Sequence, residues 1–129
     1  MPMASTVRVL VVDDQASMRQ LVRINLEAMG FFGVQEARNG EEALRTLVKQ
    51  PFHLVISDQN MPKFDGLSLV RAIRAHPPVK NIGFILLTAI ADAELVKRAV
   101  DSGVNNYVVK PFKPGVLKQK IESVIGPLA

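Results

Sequence analysis

The sequence predicts a doubly wound α/β domain, a five-stranded parallel sheet in the order 2-1-3-4-5 with helices on both faces. Three observations carry that prediction. Short β-branched and aliphatic runs alternate with segments of helical period from one end of the chain to the other. The connections between successive runs suit only parallel crossovers. The first, third and fourth runs are nearly all apolar, as strands covered on both faces must be, whereas the second and fifth are short and polar and belong at the edges. Of the common doubly wound orders, 2-1-3-4-5 puts those two strands outside.

Residues 7–12 (Val-Arg-Val-Leu-Val-Val) form the first strand, which stops at Asp13 and Asp14. A helix follows with Met18, Leu21, Val22, Leu26 and Met29 expected on its inner face and Gly30 closing it. Residues 33–37 alternate weakly and make the second strand. Asn39 and Glu42 then have the spacing of a capping box, and the helix they open should turn Ala43, Leu44, Leu47 and Val48 inward. Residues 52–57 are the third strand, ending at Asp58. Beyond a loop, Asp65 before Gly66 reads as the cap of a third helix carrying Leu69, Val70 and Ile73, which Pro77 and Pro78 prevent from continuing. Residues 83–87 are the fourth strand, ending at Thr88. A fourth helix is expected to bury Leu95, Val96, Ala99 and Val100 before Gly103 stops it. Residues 107–109 form the last strand and lead into Lys110-Pro111. Pro114 suits the first turn of a fifth helix with Leu117, Ile121 and Val124 inward.

Residues 1–129 therefore read as one domain, and no repeat, linker or low-complexity stretch is left over. The chain is 48% hydrophobic and 22% charged, which is globular rather than disordered. It has no cysteine, so disulfides and thiolate metal sites are excluded. No apolar run approaches the roughly 20 residues of a membrane span, and the N-terminus lacks a signal-peptide core; a cytoplasmic protein is expected.

In an open parallel sheet, ligands bind beyond the carboxyl ends of the strands where the strand order reverses. That crevice lies between the first and third strands. Asp13 and Asp14 end the first, Asp58 the third, Thr88 the fourth and Lys110 the fifth, so three carboxylates, a hydroxyl and an ammonium reach one mouth. Taken singly, each has an ordinary explanation: Asp13, Asp14 or Thr88 as a helix cap, Lys110 as a solvated surface lysine. Their joint placement at strand ends points elsewhere. Crowded carboxylates repel unless a cation intervenes. Hard oxygen ligands suit Mg²⁺, which takes one or two carboxylates together with water and phosphate oxygens. A carboxylate beside it can attack phosphorus, with Lys and a hydroxyl neutralising the equatorial oxygens.

The motifs Val11-Val12-Asp13-Asp14, Ser57-Asp58-Gln59-Asn60-Met61-Pro62, Asp65-Gly66, Leu87-Thr88-Ala89 and Val109-Lys110-Pro111-Phe112 together resemble those of response regulator receiver domains, most closely the stand-alone chemotaxis type. The resemblance spans nearly the whole chain, from Val7 to the last helix. It implies the flavodoxin-like (βα)5 fold and a phosphorylation-activated switch of a two-component system, with no output domain of its own. Asp58 would accept a phosphoryl group from a sensor histidine kinase. Asp14 and Asp58 would bind Mg²⁺ directly, Asn60 through its backbone carbonyl, and Asp13 through water. Lys110 would pair with the phosphoryl group, Thr88 would move to hydrogen-bond it, and Ala89 would leave room beside it. The family also implies a cis Lys110-Pro111 bond. Tyr107 matches an aromatic switch that turns inward when Thr88 moves. The readout surface would be the fourth helix, fifth strand and fifth helix, and the output a flagellar motor switch component. The protein would be no enzyme beyond promoting its own aspartyl phosphorylation and dephosphorylation. Ile90 stands where chemotaxis members often carry Glu, which bears on phosphoryl lifetime and on recognition by an external phosphatase. Gln59 replaces a frequently aromatic neighbour of the acceptor.

An alternative within the family is an adaptor or phosphate sink in another two-component pathway. A flavin carrier is disfavoured because Asp13-Asp14-Gln15 would present negative charge to a phosphate. An aspartate-nucleophile phosphatase is disfavoured by the motif order and the small size. The net charge of +4 reads as a solvated surface or as steering toward an acidic partner, with Arg19, Arg23, Arg71 and Arg74 as candidates. No helix-turn-helix and an aromatic content of 5% argue against nucleic-acid binding. His53 and His76 have no metal-ligand spacing and read as structural.

Overall fold

Every second residue of a strand points to the same face, so a strand with helices on both sides has to be apolar at consecutive positions. The computed structural model, which describes residues 2–129, shows this arrangement. Strands β1 (Arg8–Val12), β2 (Gly33–Ala37), β3 (Leu54–Asp58), β4 (Gly83–Thr88) and β5 (Asn106–Val109) alternate with helices α1 (Ala16–Ala28), α2 (Gly40–Lys49), α3 (Gly66–Arg74), α4 (Ala93–Ser102) and α5 (Pro114–Ile125). All four pairings are parallel and the order is β2-β1-β3-β4-β5, as the polarity of the runs predicts.

The sheet separates two cores. On one face Leu10, Val12, Val55, Phe84 and Leu86 meet Ala43 and Leu47 of α2, Leu69, Val70 and Ile73 of α3, and Ala99 of α4. On the other, Val9, Val11, Leu54, Ile56, Ile85 and Leu87 meet Val22 and Leu26 of α1 and Leu117 and Ile121 of α5. β3 is buried along its whole length, whereas the edge strands β2 and β5 are buried only in part. Burying each Val, Leu or Ile side chain contributes roughly 1.5–3 kcal/mol, so the central strands anchor whatever their C-terminal residues carry.

Three residues expected inside lie outside. Leu21, Val48 and Val100 are 47%, 55% and 67% exposed. Each directly follows or precedes a buried neighbour (Val22, Leu47, Ala99), and one step along a helix turns about 100°, far enough to leave a narrow contact with a sheet.

Side-chain caps fix where α2, α3 and α4 begin. Asn39 Oδ1 accepts from the Glu42 N–H at 2.8 Å, but the Glu42 carboxylate pairs with Arg38, so only half of the expected capping box forms. Asp65 Oδ1 accepts from the Ser68 N–H at 2.8 Å, as expected. Asp92 caps α4 through the Leu95 N–H at 2.9 Å, leaving Thr88 free of that task. Gly66 has a steric reason. A Cβ there would lie 2.7 Å from the Asp58 carbonyl oxygen and 2.6 Å from Leu86 Cδ1. No helix among the described residues is long and apolar enough to cross a membrane.

Candidate metal centre

The parallel sheet delivers its strand C-termini to one end, and the acidic residues converge there. One carboxylate oxygen from each of Asp13, Asp14 and Asp58 lies within 4.8 Å of the others. Asp58 is the last residue of β3 and is buried, while Asp13 prolongs the β1–β2 ladder by donating its N–H to the Ala37 carbonyl at 3.1 Å. Asp13 is 2% exposed; its Oδ1 accepts from the Gln15 N–H at 2.9 Å, and its Oδ2 has no hydrogen-bond partner among the described residues. Asp14 is exposed at the mouth.

Lys110 reaches across from the end of β5, and its Nζ donates to Asp58 Oδ1 at 2.7 Å. The Lys110-Pro111 bond is cis, as the resemblance implies. The Asp13 carboxyl is pushed up to about 6, first by burial and then by the charges of Asp58 and Asp14. The Gln15 N–H and the Lys110 ammonium act in the opposite direction. Three carboxylates against one ammonium leave the ionised crevice with a formal excess of two negative charges, and every converging donor is a hard oxygen. A buried, unpartnered carboxylate oxygen facing that excess fits a hard divalent cation. The cluster can hold such an ion.

Thr88 ends β4 buried, with its Oγ1 donating to the Ile90 carbonyl at 2.8 Å and accepting from the Ile90 N–H at 3.2 Å. Ile90 itself is exposed. A cleft of about 270 Å³ adjoins the site here, lined by Gln59, Asn60, Thr88, Ile90 and the α4 residues Leu95 and Arg98. Asn60 is exposed in the β3–α3 loop, one residue beyond Gln59. Tyr107 lies half-buried on β5 with the Lys120 ammonium 5.2 Å from its ring centroid.

Several residues act differently from what the sequence suggests. Gln59 is buried and splints the loop to α3: its Oε1 accepts from the Leu67 N–H at 2.9 Å and its Nε2 donates to Asp65 at 3.2 Å. Three of the four candidate steering arginines are committed inside the structure. Arg19 and Arg23 both bind Glu36. Arg74 donates to the carbonyls of Lys80, Ile82 and Gly103 and to Asn105 Oδ1. Of these four, Arg71 is the one left exposed at the surface. His53 is structural as expected, its Nδ1 accepting from the Arg8 N–H at 2.9 Å.

This fold and this crevice define a receiver domain. The family described as response regulator receiver domain matches residues 9–122, and the chain belongs to that family. Within it the chain is similar along nearly its whole length to chemotaxis proteins. It is 44% identical over 128 residues to a probable chemotaxis protein CheY of Rhizobium etli, covering 99% of each chain. It is 42% identical over 120 residues to the chemotaxis protein CheY1 of Helicobacter pylori, covering 92% of this chain and 97% of the relative. Among solved structures, the Vibrio cholerae chemotaxis protein CheY4 superposes with a TM-score of 0.86 at 35% identity, covering 92% of this chain and 98% of that one. The chain is thus the receiver domain of a CheY-like response regulator.

Proposed function

We propose that residues 1–129 act as a single receiver unit that a phosphoryl group on Asp58 switches on, in a two-component pathway controlling chemotaxis through the flagellar motor. The observation that carries this reading is the meeting of the Asp13, Asp14 and Asp58 oxygens within 4.8 Å, with the Lys110 ammonium 2.7 Å from Asp58. The full-length likeness to chemotaxis proteins supports the pathway.

Asp14, Asp58 and the Asn60 carbonyl are the groups that would hold Mg²⁺, with Asp13 acting through an intervening water. Bound there, the ion supplies positive charge against the phosphoryl oxygens. The chain's own residues do the rest. An oxygen of Asp58 attacks phosphorus in line as the P–N bond of a kinase phosphohistidine breaks, and the electron pair of that bond returns to the imidazole. Lys110 exchanges its contact with the Asp58 carboxylate for one with the transferred group. Thr88 gives up the Ile90 carbonyl and donates to a phosphoryl oxygen. The space it leaves lets the Tyr107 ring turn inward.

Moving a two-state equilibrium from 1:99 to 99:1 requires about 5.5 kcal/mol. Contacts to charged groups contribute roughly 1.5–3 kcal/mol each, so the new Lys110 and Thr88 contacts reach that range together before the loss of the contacts they replace is subtracted. The surface that responds is formed by α4, β5 and α5. Val100, Val109 and Val116, one on each element, are exposed there. Beside them a cleft lined by Tyr107, Phe112, Val116 and Lys120 can take an apolar side chain of a motor switch component.

Incubation with a small phosphodonor and Mg²⁺, read by intact mass, tests the assignment. One phosphate adduct is expected on the wild type and none on Asp58→Asn; an adduct persisting in that variant moves the acceptor elsewhere.

A further inference from the structure

We propose that Arg19 and Glu36 clamp the loop that carries Asp13 and Asp14, which makes Arg19 a positioning residue for the divalent cation despite its own positive charge. The inference rests on the reading above, since it takes the three aspartates to be a cation site.

The polar groups of Asp13 are assigned almost completely. Its N–H goes to Ala37 O at 3.1 Å and its Oδ1 accepts from Gln15 N at 2.9 Å. Its carbonyl oxygen, which lies between the Asp13 and Asp14 side chains in the chain, accepts from Arg19 Nη1 at 2.7 Å. That is the short end of the N–H···O range, as expected of a charge-assisted bond. With these three fixed, the remaining Oδ2 is the buried oxygen without a partner.

Arg19 is in turn held from behind. Its side chain is 12% exposed, and its Nε donates to Glu36 Oε1 at 3.0 Å. The other oxygen of Glu36 accepts from Arg23 Nε at 2.8 Å. Glu36 pairs with Val11 in the β1–β2 ladder, so the clamp ties α1, β2 and the end of β1 together. Groups behind the ligands of a metal site orient them, and their loss typically weakens metal binding 10–100-fold.

The charge of Arg19 makes the proposal decidable by sign. A guanidinium near a cation site opposes the cation, so removing one that merely sits nearby leaves Mg²⁺ binding unchanged or tightens it. Removing a clamp weakens it. The experiment is Mg²⁺ titration of the full chain by calorimetry, repeated with Mn²⁺ by electron paramagnetic resonance, with thermal unfolding in chelator measured alongside. Arg19→Met is expected to raise the Mg²⁺ Kd about 10–100-fold. Arg23→Met, which touches Glu36 but not the loop, should stay within about threefold of wild type on the same reasoning. Arg19→Lys keeps the charge but has a single donor nitrogen in place of the fork, and its affinity should fall between wild type and Arg19→Met. An Arg19→Met protein that binds Mg²⁺ as well as wild type or better overturns the proposal, even if it melts earlier. Should Arg19→Met fail to fold, Arg19→Lys decides: weaker binding at equal charge supports the clamp, and unchanged binding overturns it. A wild type that binds no Mg²⁺ at all removes the cation-site reading itself.

Discussion

Replacing Asp13 with Asn should stabilise the metal-free protein, and the structure sets the size of the effect. Burial raises the Asp13 carboxyl from 3.8 to about 6. One pKa unit corresponds to 1.36 kcal/mol, so holding Asp13 ionised in the folded, metal-free protein costs about 3 kcal/mol at pH 7.5. The sign follows from linkage. Between the two pKa values the folded state binds more protons than the unfolded state, so stability is greatest below 3.8 and is lost as pH rises through 6. By the same relation the penalty is about half as large at pH 5. Asn is neutral throughout and keeps an oxygen for the Gln15 N–H. Urea unfolding in chelator should therefore show Asp13→Asn more stable than wild type by about 3 kcal/mol at pH 7.5 and by about half that at pH 5. Saturating Mg²⁺ should stabilise the wild type most at the higher pH and the variant less than the wild type there. A variant no more stable than wild type in chelator at pH 7.5, or an advantage independent of pH, would refute the reasoning.

Two further outcomes are expected. Arg74→Met removes a guanidinium that joins the end of α3 to the segments before β4 and β5, and leaves the Gly103 and Ile82 carbonyls and the Asn105 side chain without that donor. It should lower stability by about 2–4 kcal/mol in chemical denaturation while leaving the Mg²⁺ Kd unchanged; a shifted Kd would tie this network to the site. Lys110→Ala should still bind Mg²⁺, with equal or greater affinity, yet phosphorylation should no longer alter partner binding. The single tyrosine in a chain without tryptophan gives a direct optical reading of the switch, and an unaltered Tyr107 fluorescence response in Lys110→Ala would remove the lysine from it.

The strand ends were legible because burial on both faces writes itself into consecutive residues. Val9 and Val11 serve one core and Leu10 and Val12 the other, so the run can end only where chemistry or solvent begins, at Asp13. Helix faces are harder to read. Val100 follows Ala99 as a second apolar residue, and one helical step of about 100° turns it outward. Arg19 carried no local signal. Its partners are the carbonyl six residues earlier and a glutamate on β2, and that pairing depends on the β1–β2 register. Gln59 was invisible for the same reason, since its amide binds the first turn of a helix eight residues on. Asp92 could have been found: it precedes a run of helical period, as Asp65 does.

The close approach of Gly66 to the Asp58 carbonyl packs the end of β3 directly against the start of α3. The Gln59 amide binds the main chain on the far side of the junction, and no room is left for even one methyl group. On the opposite flank, the turn after β4 is fastened at Thr88 through hydrogen bonds to one residue, Ile90, whose side chain is out in solvent. Asp58 thus lies between a tightly packed junction on one side and a turn closed by two side-chain hydrogen bonds on the other.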